Sequence, residues 1–153
     1  MFNLLLKKGT KMKKDQTKFE EEIIKNFGNY EVTESQKNWN SYSKFQKQEV
    51  LQEGDKIFAE LAKLKNEGYS NDSNEVKSLM IRWHKFLLNF YTPSIEVMRG
   101  LSEMYIKDNR FKSKFQKIDP DLPDFLHKSI NNYVNELEEV YKEKQKTTLS
   151  QTE

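Results

Sequence analysis

Apolar residues recur at steps of three and four over most of this chain, which is the spacing of one face of an α-helix. The clearest run begins at Ser43, because Ser43 and Gln46 form a capping-box pattern that can satisfy free backbone N–H groups. Its apolar stripe continues to Leu64, and Gly68 provides a stop. Gly54 lies inside this helix and weakens it by about 1 kcal/mol relative to alanine. No alternating β pattern of useful length occurs.

A second capping-box pattern, formed by Asp72 and Glu75, precedes the strongest helical stripe. The apolar positions of that stripe are Val76, Leu79, Met80, Trp83, Leu87, Phe90 and Tyr91. Pro93 then fits the first position of a new helix, where the missing N–H costs nothing. Asp108 is suited to cap a short following helix, and the last stripe runs over residues 122–141.

The pattern before Ser43 is weaker but still helical in one place. Helical spacing is found at Phe19, Ile23, Ile24 and Phe27. Together the patterns predict an all-α fold, a single domain of about five or six helices. We expect residues 1–14 to form a basic flexible leader, residues 15–141 the domain, and residues 142–153 a polar, solvated tail.

The composition indicates that flat side chains, more than aliphatic ones, fill the core. Hydrophobic residues make up only 35% of the chain and the mean hydropathy is −0.93, yet aromatic residues alone make up 12%. Cores of this kind leave room for aromatic-lined clefts between helices.

Several kinds of chemistry are excluded or disfavoured. The chain has no cysteine, so disulfides, thiolate metal sites and a cysteine nucleophile are impossible. A phosphate-binding glycine loop, a nucleophile elbow and a metalloprotease motif are also missing. The two histidines, His84 and His127, are better explained as hydrogen-bonded residues at the edge of a core than as haem or metal ligands. The sequence therefore predicts neither an enzyme nor a cofactor.

Charge and hydropathy also restrict the partners. The apolar run Leu4–Leu6 is too short for a membrane span or a signal sequence, which predicts a cytoplasmic protein without membrane contact. Residues 1–18 carry six lysines and one aspartate, whereas the remainder is slightly acidic. DNA-binding proteins usually have a basic face on the folded part, so we expect no direct contact with nucleic acid.

The segment from Trp83 to Phe111 is the candidate ligand site. Around a helix–turn–helix junction it concentrates one tryptophan, three phenylalanines, two tyrosines and two methionines. Most such residues would serve an ordinary helical core. Tyrosine, tryptophan and methionine together also suit a pocket for a flat or greasy ligand, because they offer a large contact area with few rotamers lost.

The same segment resembles a known family. The run RWHKFLLNFYTPSIEVMRGLSEMYIKDNRF is similar to the central signature of the TipA-type (TipAS) antibiotic-recognition domain, the drug-sensing half of certain MerR-type transcription activators. The matching residues are Arg82, Trp83, His84, Phe90, Tyr91, Glu96, Arg99, Gly100, Leu101, Met104, Tyr105, Asp108, Arg110 and Phe111. The run NWNSYSK at residues 38–44 resembles the start of the family's long helix, and residues 122–130 resemble its final helix. The resemblance covers about residues 19–141.

The resemblance implies an all-helical, globin-like domain with a ligand cleft and without haem. It also implies binding of bulky peptide-type or polyaromatic antibiotics, with amino-terminal helices that become ordered over the ligand. Ordering of such a lid would couple ligand binding to a conformational change that a regulator can use.

Three departures from the family pattern change this expectation. Pro93 stands where the best-known members carry the cysteine that captures thiopeptides covalently, so binding here must be reversible. Met98 replaces a histidine, which favours an apolar ligand contact. The DNA-binding winged helix and the dimerising coiled coil are not among these 153 residues. If the chain is complete, we expect that it cannot activate transcription by the family's usual route.

We therefore predict a stand-alone drug-recognition domain that sequesters or senses an antibiotic. The alternative is the ligand-sensing half, or a relic, of a MerR-type activator whose DNA-binding half lies on a separate chain. The residues predicted to line the cleft are Trp83, Phe90, Tyr91, Met98, Met104, Tyr105 and Phe111. Arg99 is expected to form an anchoring salt bridge. An enzyme would be favoured only if Glu96, His84 and Arg99 met in a cleft.

Overall fold

A computed structural model of the chain describes residues 39–152, and all regular secondary structure in that part is helical. A short 3₁₀ turn, Trp39–Ser41, precedes five α-helices. These are α1 Lys44–Asn66, α2 Asn74–Leu87, α3 Ile95–Lys107, α4 Asn109–Ile118 and α5 Leu122–Thr152. The predicted all-α fold is thus confirmed. The predicted helix at residues 19–27 and the leader at residues 1–14 lie outside the described residues.

Three of the predicted helix ends are confirmed by their hydrogen bonds. The backbone N–H of Gln46 donates to the Ser43 hydroxyl at 3.1 Å, and the N–H of Ser43 donates to the Gln46 amide oxygen at 2.8 Å. Gly68 ends α1 with a φ of 92°, a left-handed conformation that favours glycine. Asp108 caps α4 by accepting a hydrogen bond from the N–H of Arg110 at 2.9 Å.

The predicted starts of α2 and α3 were wrong by one and two positions, respectively. Ser73, not Asp72, caps α2 by accepting from the N–H of Val76 at 3.3 Å, while the Asp72 carboxylate accepts from the Ser70 hydroxyl at 2.6 Å in the preceding turn. Ser94 caps α3, so Pro93 lies before the helix and not in its first position. In both places a serine hydroxyl supplies the acceptor that a helix start needs.

The apolar pattern also predicted that α2 extends further along the chain than it does. The helix stops at Leu87, so Phe90 and Tyr91 lie in the loop that connects α2 to α3. The Asn89 side-chain amide donates to the Phe86 carbonyl at 3.0 Å, which satisfies one acceptor left free at the helix end. Pro93 restricts the backbone before it to extended conformations, and this prevents α2 from running on into α3.

Helix α5 organises the core, because each of the other four α-helices packs against it. Its buried face consists of Leu122, Leu126, Ile130, Tyr133, Val134, Leu137 and Val140. The helix continues past Tyr141 to Thr152, through most of the segment predicted as a polar tail. The division of the chain at residue 141 remains a prediction.

A buried ion pair joins α2 to α5. The Lys77 ammonium lies 3.2 Å from a Glu136 carboxylate oxygen, and the side chains are only 5% and 0% exposed. Two charges at this depth are tolerated only because each neutralises the other. Lys77 stands between the buried residues Val76 and Leu79, so the helical stripe of α2 includes a charged position that the apolar pattern does not reveal.

Helices α1 and α2 approach each other closely at Gly54. A Cβ atom at this position would lie 2.8 Å from the end of the Phe86 ring. The glycine that weakens α1 as an isolated helix therefore makes space for an aromatic side chain of α2.

His84 is buried in the core, and its Nδ1 lies 2.7 Å from the Tyr133 hydroxyl. Removal from water lowers the pKa of His84 to about 3, so the imidazole is neutral in the folded protein. A hydrogen-bonded structural role, as predicted for this histidine, agrees with that geometry.

The depressed pKa predicts that folding becomes less favourable in mild acid. Between pH 6.5 and about 3 the unfolded chain binds a proton at His84 and the folded chain does not. Lowering the pH from 7.5 to 5.5 should therefore cost about 1.4 kcal/mol of unfolding free energy, measured by urea denaturation. His84→Gln should lose this pH dependence, and the control His127→Gln should keep it. An unchanged slope in His84→Gln would contradict the assignment.

The buried ion pair predicts strong non-additivity between its two members. Lys77→Met should lower the unfolding free energy by about 3–5 kcal/mol, because Glu136 is left as an uncompensated buried charge. The double variant Lys77→Met/Glu136→Leu should recover most of this loss. Chemical denaturation of both variants is the measurement. Equal stabilities of the single and double variants would show that the two charges are not coupled.

Candidate functional site

The seven residues predicted to line a cleft lie at the end of α2, in the α2–α3 loop, along α3 and at the start of α4. Trp83, Met98 and Tyr105 are buried in the core. The half-buried members are Phe90, Tyr91, Met104 and Phe111. These four can reach a ligand directly, whereas Trp83 and Met98, with no exposed surface, contact one only if neighbouring side chains move.

Phe90 belongs to a group of four aromatic residues that we call the rim cluster: Trp39, Tyr42, Phe86 and Phe90. The Trp39 ring lies 4.6 Å from that of Phe90 and 5.8 Å from that of Tyr42, and the rings of Phe86 and Phe90 are 5.3 Å apart. These separations are those of favourable tilted and edge-to-face pairs. The rim cluster thus fixes the 3₁₀ turn against the α2–α3 loop.

Polar contacts reinforce the same junction. The Tyr42 hydroxyl donates to the Asn89 amide oxygen at 3.1 Å. The Lys47 ammonium lies 5.5 Å from the centre of the Trp39 ring, within the range of a cation–π interaction. Beside this junction Tyr42, Gln46, Glu49 and Val50 line a shallow groove of about 330 Å³. Trp39 and Tyr42 were not predicted as site residues, because nothing in their spacing indicates that they meet Phe90. Phe86 was not predicted either, although it lies four residues before Phe90, a spacing that brings two side chains together on a helical turn.

Tyr105 and Phe111 belong to a second group, the inner cluster, together with Phe58 of α1 and Phe115 of α4. The Tyr105 ring lies 5.7 Å from that of Phe111 and 5.2 Å from that of Phe115, and the rings of Phe58 and Phe115 are 4.8 Å apart. Tyr105 and Phe111, both predicted to line the cleft, therefore pack against each other. Most of this cluster is core, with Phe111 half-buried at its edge.

Burial affects the ionisation of two of the predicted residues. It raises the pKa of Tyr105 to about 12, and it also raises the pKa of Tyr91. The Trp83 indole N–H is buried and makes no hydrogen bond among the described residues. Tyr91 and Tyr105 therefore both keep their protons at neutral pH.

Arg99 forms the anchoring salt bridge that the sequence predicted. Its guanidinium lies 3.1 Å from a Glu138 carboxylate oxygen and donates to the Asn135 amide oxygen at 2.9 Å. The guanidinium lowers the pKa of Glu138. This contact joins α3 to α5 on a partly exposed face.

His127 also has a structural hydrogen bond. Its Nδ1 lies 3.1 Å from the Ser102 carbonyl oxygen, and the Asn131 amide nitrogen is 3.2 Å from its Nε2. In the tautomer with the proton on Nδ1, that N–H donates to the carbonyl and Nε2 accepts from Asn131. Across residues 39–146, no three His, Asp or Glu side chains are grouped so that they could hold a metal ion.

A larger groove of about 430 Å³ lies between α1 and α2, away from the seven predicted residues. Its lining consists of Glu60, Lys63, Leu64, Glu67, Glu75, Ser78, Leu79 and Arg82. Arg82 donates to both carboxylate oxygens of Glu53 at 2.9 and 3.2 Å and also pairs with Glu60, and these interactions raise its pKa. Two of the charged side chains that line the groove, Arg82 and Glu60, are therefore already paired with each other. None of the helices described here is long and apolar enough to cross a membrane.

The described part of the chain is a helical domain with half-buried aromatic side chains at the junction of the 3₁₀ turn and the α2–α3 loop. The chain matches the family of the TipAS antibiotic-recognition domain over residues 19–133, which is most of its length. This chain therefore belongs to the TipAS antibiotic-recognition domain family.

A more distant similarity concerns a transcription regulator. The chain is 25% identical over 124 residues to the HTH-type transcriptional activator mta of Bacillus subtilis (strain 168). The matched region is 80% of this chain but 48% of that activator, so the chain spans about half the length of the relative. No solved structure matches the chain significantly.

The rim cluster predicts a local effect of Phe90 on Trp39. Phe90→Ala should expose the Trp39 ring, raise its quenching by acrylamide and lower the unfolding free energy by about 1–2 kcal/mol. Trp83 is buried and contributes little to the quenching. Phe45→Ala is a matched control, because Phe45 is 69% exposed. Similar quenching in the two variants would argue against the packing of Trp39 on Phe90.

Proposed function

We propose that this chain reversibly binds bulky peptide-type or polyaromatic antibiotics at the surface between the α2–α3 loop, α3 and the start of α4. The observation that carries the proposal is that four of the predicted residues, Phe90, Tyr91, Met104 and Phe111, keep part of their side chains exposed. Aromatic and thioether groups of this kind offer large contact areas to flat ligands. Membership of the TipAS family supports the same ligand class.

Behind these four residues lies a rigid wall. Met98 and Trp83 are fully buried, and Tyr105 is held by the rings of the inner cluster. A wall whose side chains are already fixed loses little conformational freedom when a ligand binds, which favours affinity. Met98 occupies the place of a histidine in the family pattern, so this part of the wall is apolar.

In this proposal, the amino-terminal part of the chain couples ligand binding to a conformational change. Trp39 packs on Phe90, so the chain reaches the described fold beside the proposed binding surface. The resemblance to the family implies that amino-terminal residues become ordered over the ligand, which would couple binding to a conformational change. Binding is reversible because Pro93 offers no nucleophile next to Tyr91.

The proposal describes a binding protein and not an enzyme. His84 is bonded to Tyr133 in the core, and Arg99 is bonded to Glu138 and Asn135. Both side chains already have structural partners on α5, which fits anchoring better than catalysis. A site built mainly from aromatic and thioether groups also agrees with binding that involves no chemical reaction.

A second candidate is the ligand-sensing part of a MerR-type regulator that acts in the cytoplasm. The similarity to the activator mta favours it, since this chain covers about half of that protein. A helix-turn-helix protein encoded beside this chain, and copurifying with it, would support the regulatory role. Drug protection of cells by this chain in the absence of such a protein would support sequestration instead.

Fluorescence titration tests the binding proposal directly. Thiopeptide and polyaromatic antibiotics should quench or shift the emission of Trp39, which lies at the rim, more than that of the buried Trp83. Phe90→Ala should weaken binding about tenfold or more, because a hydrophobic contact of the half-buried ring is lost. Phe45→Ala should leave the affinity unchanged. Absence of any spectral change at high micromolar concentration of every compound would contradict the proposal.

A further inference from the structure

Gly100 is a glycine that the packing of the described fold does not require. It lies inside α3 at an exposed position, and a Cβ atom there would have no heavy atom of a neighbouring described residue within 4 Å. The other two glycines of the described residues have structural reasons, because Gly54 leaves space for Phe86 and Gly68 has a positive φ. Neither reason applies to Gly100.

A glycine inside a helix has a cost that alanine would avoid. Only proline is less favourable there, because the glycine backbone loses the most conformational freedom when the helix forms. At an open position such as Gly100, alanine would remove this cost without a clash. A residue that disagrees with its local structure points to a functional requirement. Glycine meets one such requirement, the close approach of another molecule to the backbone.

Gly100 lies next to the proposed binding surface. Met104, one of the four partly exposed residues of that surface, follows the glycine by four positions and therefore lies one turn further along the same face of α3. Val97 precedes the glycine by three positions and is 42% exposed. The glycine is thus a gap between two apolar side chains, and the helix backbone forms the floor of the gap.

Neighbouring charged side chains do not fill this gap. The Lys107 ammonium lies 2.7 Å from a Glu103 carboxylate oxygen, and the Arg99 guanidinium is paired with Glu138 of α5. These side chains are held by partners along α3 or across to α5. The backbone at Gly100 therefore stays open to a ligand.

We propose that Gly100 is a specificity-determining residue, over which a flat ring system of the ligand lies in direct contact with the backbone of α3. Val97 and Met104 contact the two ends of the ring system. The two residues are two helical turns apart, a rise of about 10 Å, which suits three linearly fused rings. The inference rests on the proposed function and extends its surface along α3.

The physical reason for a glycine is the short range of dispersion attraction. A methyl group at this position would hold a rigid ring away from the backbone, and a gap of about 0.5–1 Å already loses a quarter to a half of the attraction between facing atoms. A flexible ligand could bend around such a group. A fused ring system cannot, so the position selects for flat ligands only while it is a glycine.

Gly100→Ala tests the inference in the full chain, because it should change stability and binding in opposite directions. The melting temperature should rise by about 3 °C, since alanine favours the helix and the position is open. The affinity for proflavine, a planar tricyclic dye, should fall about three- to tenfold. Thermal denaturation followed by circular dichroism and titration of the dye fluorescence are the measurements.

Ser78→Ala is the matched control. Ser78 is exposed on α2 and lines the groove between α1 and α2, so alanine there also favours a helix but leaves α3 unchanged. The melting temperature should rise slightly, and the affinity for proflavine should stay the same. A loss of affinity in Gly100→Ala alone would then be due to the methyl group and not to the added stability.

The outcomes separate this inference from the proposed function. If Phe90→Ala weakens proflavine binding and Gly100→Ala does not, the surface binds the dye but the dye does not lie on Gly100. A lower melting temperature of Gly100→Ala would show that residues 1–38 or a second copy of the chain pack on the glycine, which also overturns the inference. If neither variant weakens binding, or the wild-type chain binds neither proflavine nor daunorubicin, both proposals fail for flat aromatic ligands.

Discussion

The burial of one face of α5 is the constraint on which the rest of the fold depends. All four other α-helices pack against it, and its apolar residues from Leu122 to Val140 have almost no exposed surface. Two polar contacts fix α2 on that face, since Lys77 pairs with Glu136 and His84 is bonded to Tyr133. Buried polar partners tolerate less displacement than apolar ones, because a separated pair leaves unsatisfied groups inside the core. The position of α2, and thus of the loop after it, follows from these contacts.

The proposed binding surface exists because α2 stops at Leu87. Had the helix continued, the stripe would have placed Phe90 and Tyr91 beside Leu87 in the core. In the loop they are instead half-buried, and the Phe90 ring packs against Trp39 of the 3₁₀ turn. The core side of the same region is filled by Trp83, Met98 and Tyr105. Buried, tightly packed side chains with half-buried aromatic side chains beside them are suited to a ligand that lies flat on the protein.

Much of the fold could be predicted from periodicity and capping. The stripes located the described helices, and the local patterns at Ser43 and Asp108 identified true caps, since such signals depend on neighbouring residues only. The starts of α2 and α3 were misplaced by one and two residues, respectively, because a nearby serine supplies each cap instead. The site was harder to predict. Trp39 meets Phe90 only through the packing of the 3₁₀ turn on the α2–α3 loop, and the Lys77–Glu136 pair spans 59 positions of sequence. Neither relation leaves a trace in the local pattern.

The close approach at Gly54 has a mechanical consequence for the proposed site. The Phe86 ring lies between the Phe90 ring and the backbone of α1, where the missing side chain leaves no deformable layer. Dense packing transmits a displacement where a loose interior would absorb it. A ligand that pushes Phe90 inward therefore presses Phe86 directly on α1. Helix α1 would then be displaced as a rigid unit, with Gly54 as the point of contact.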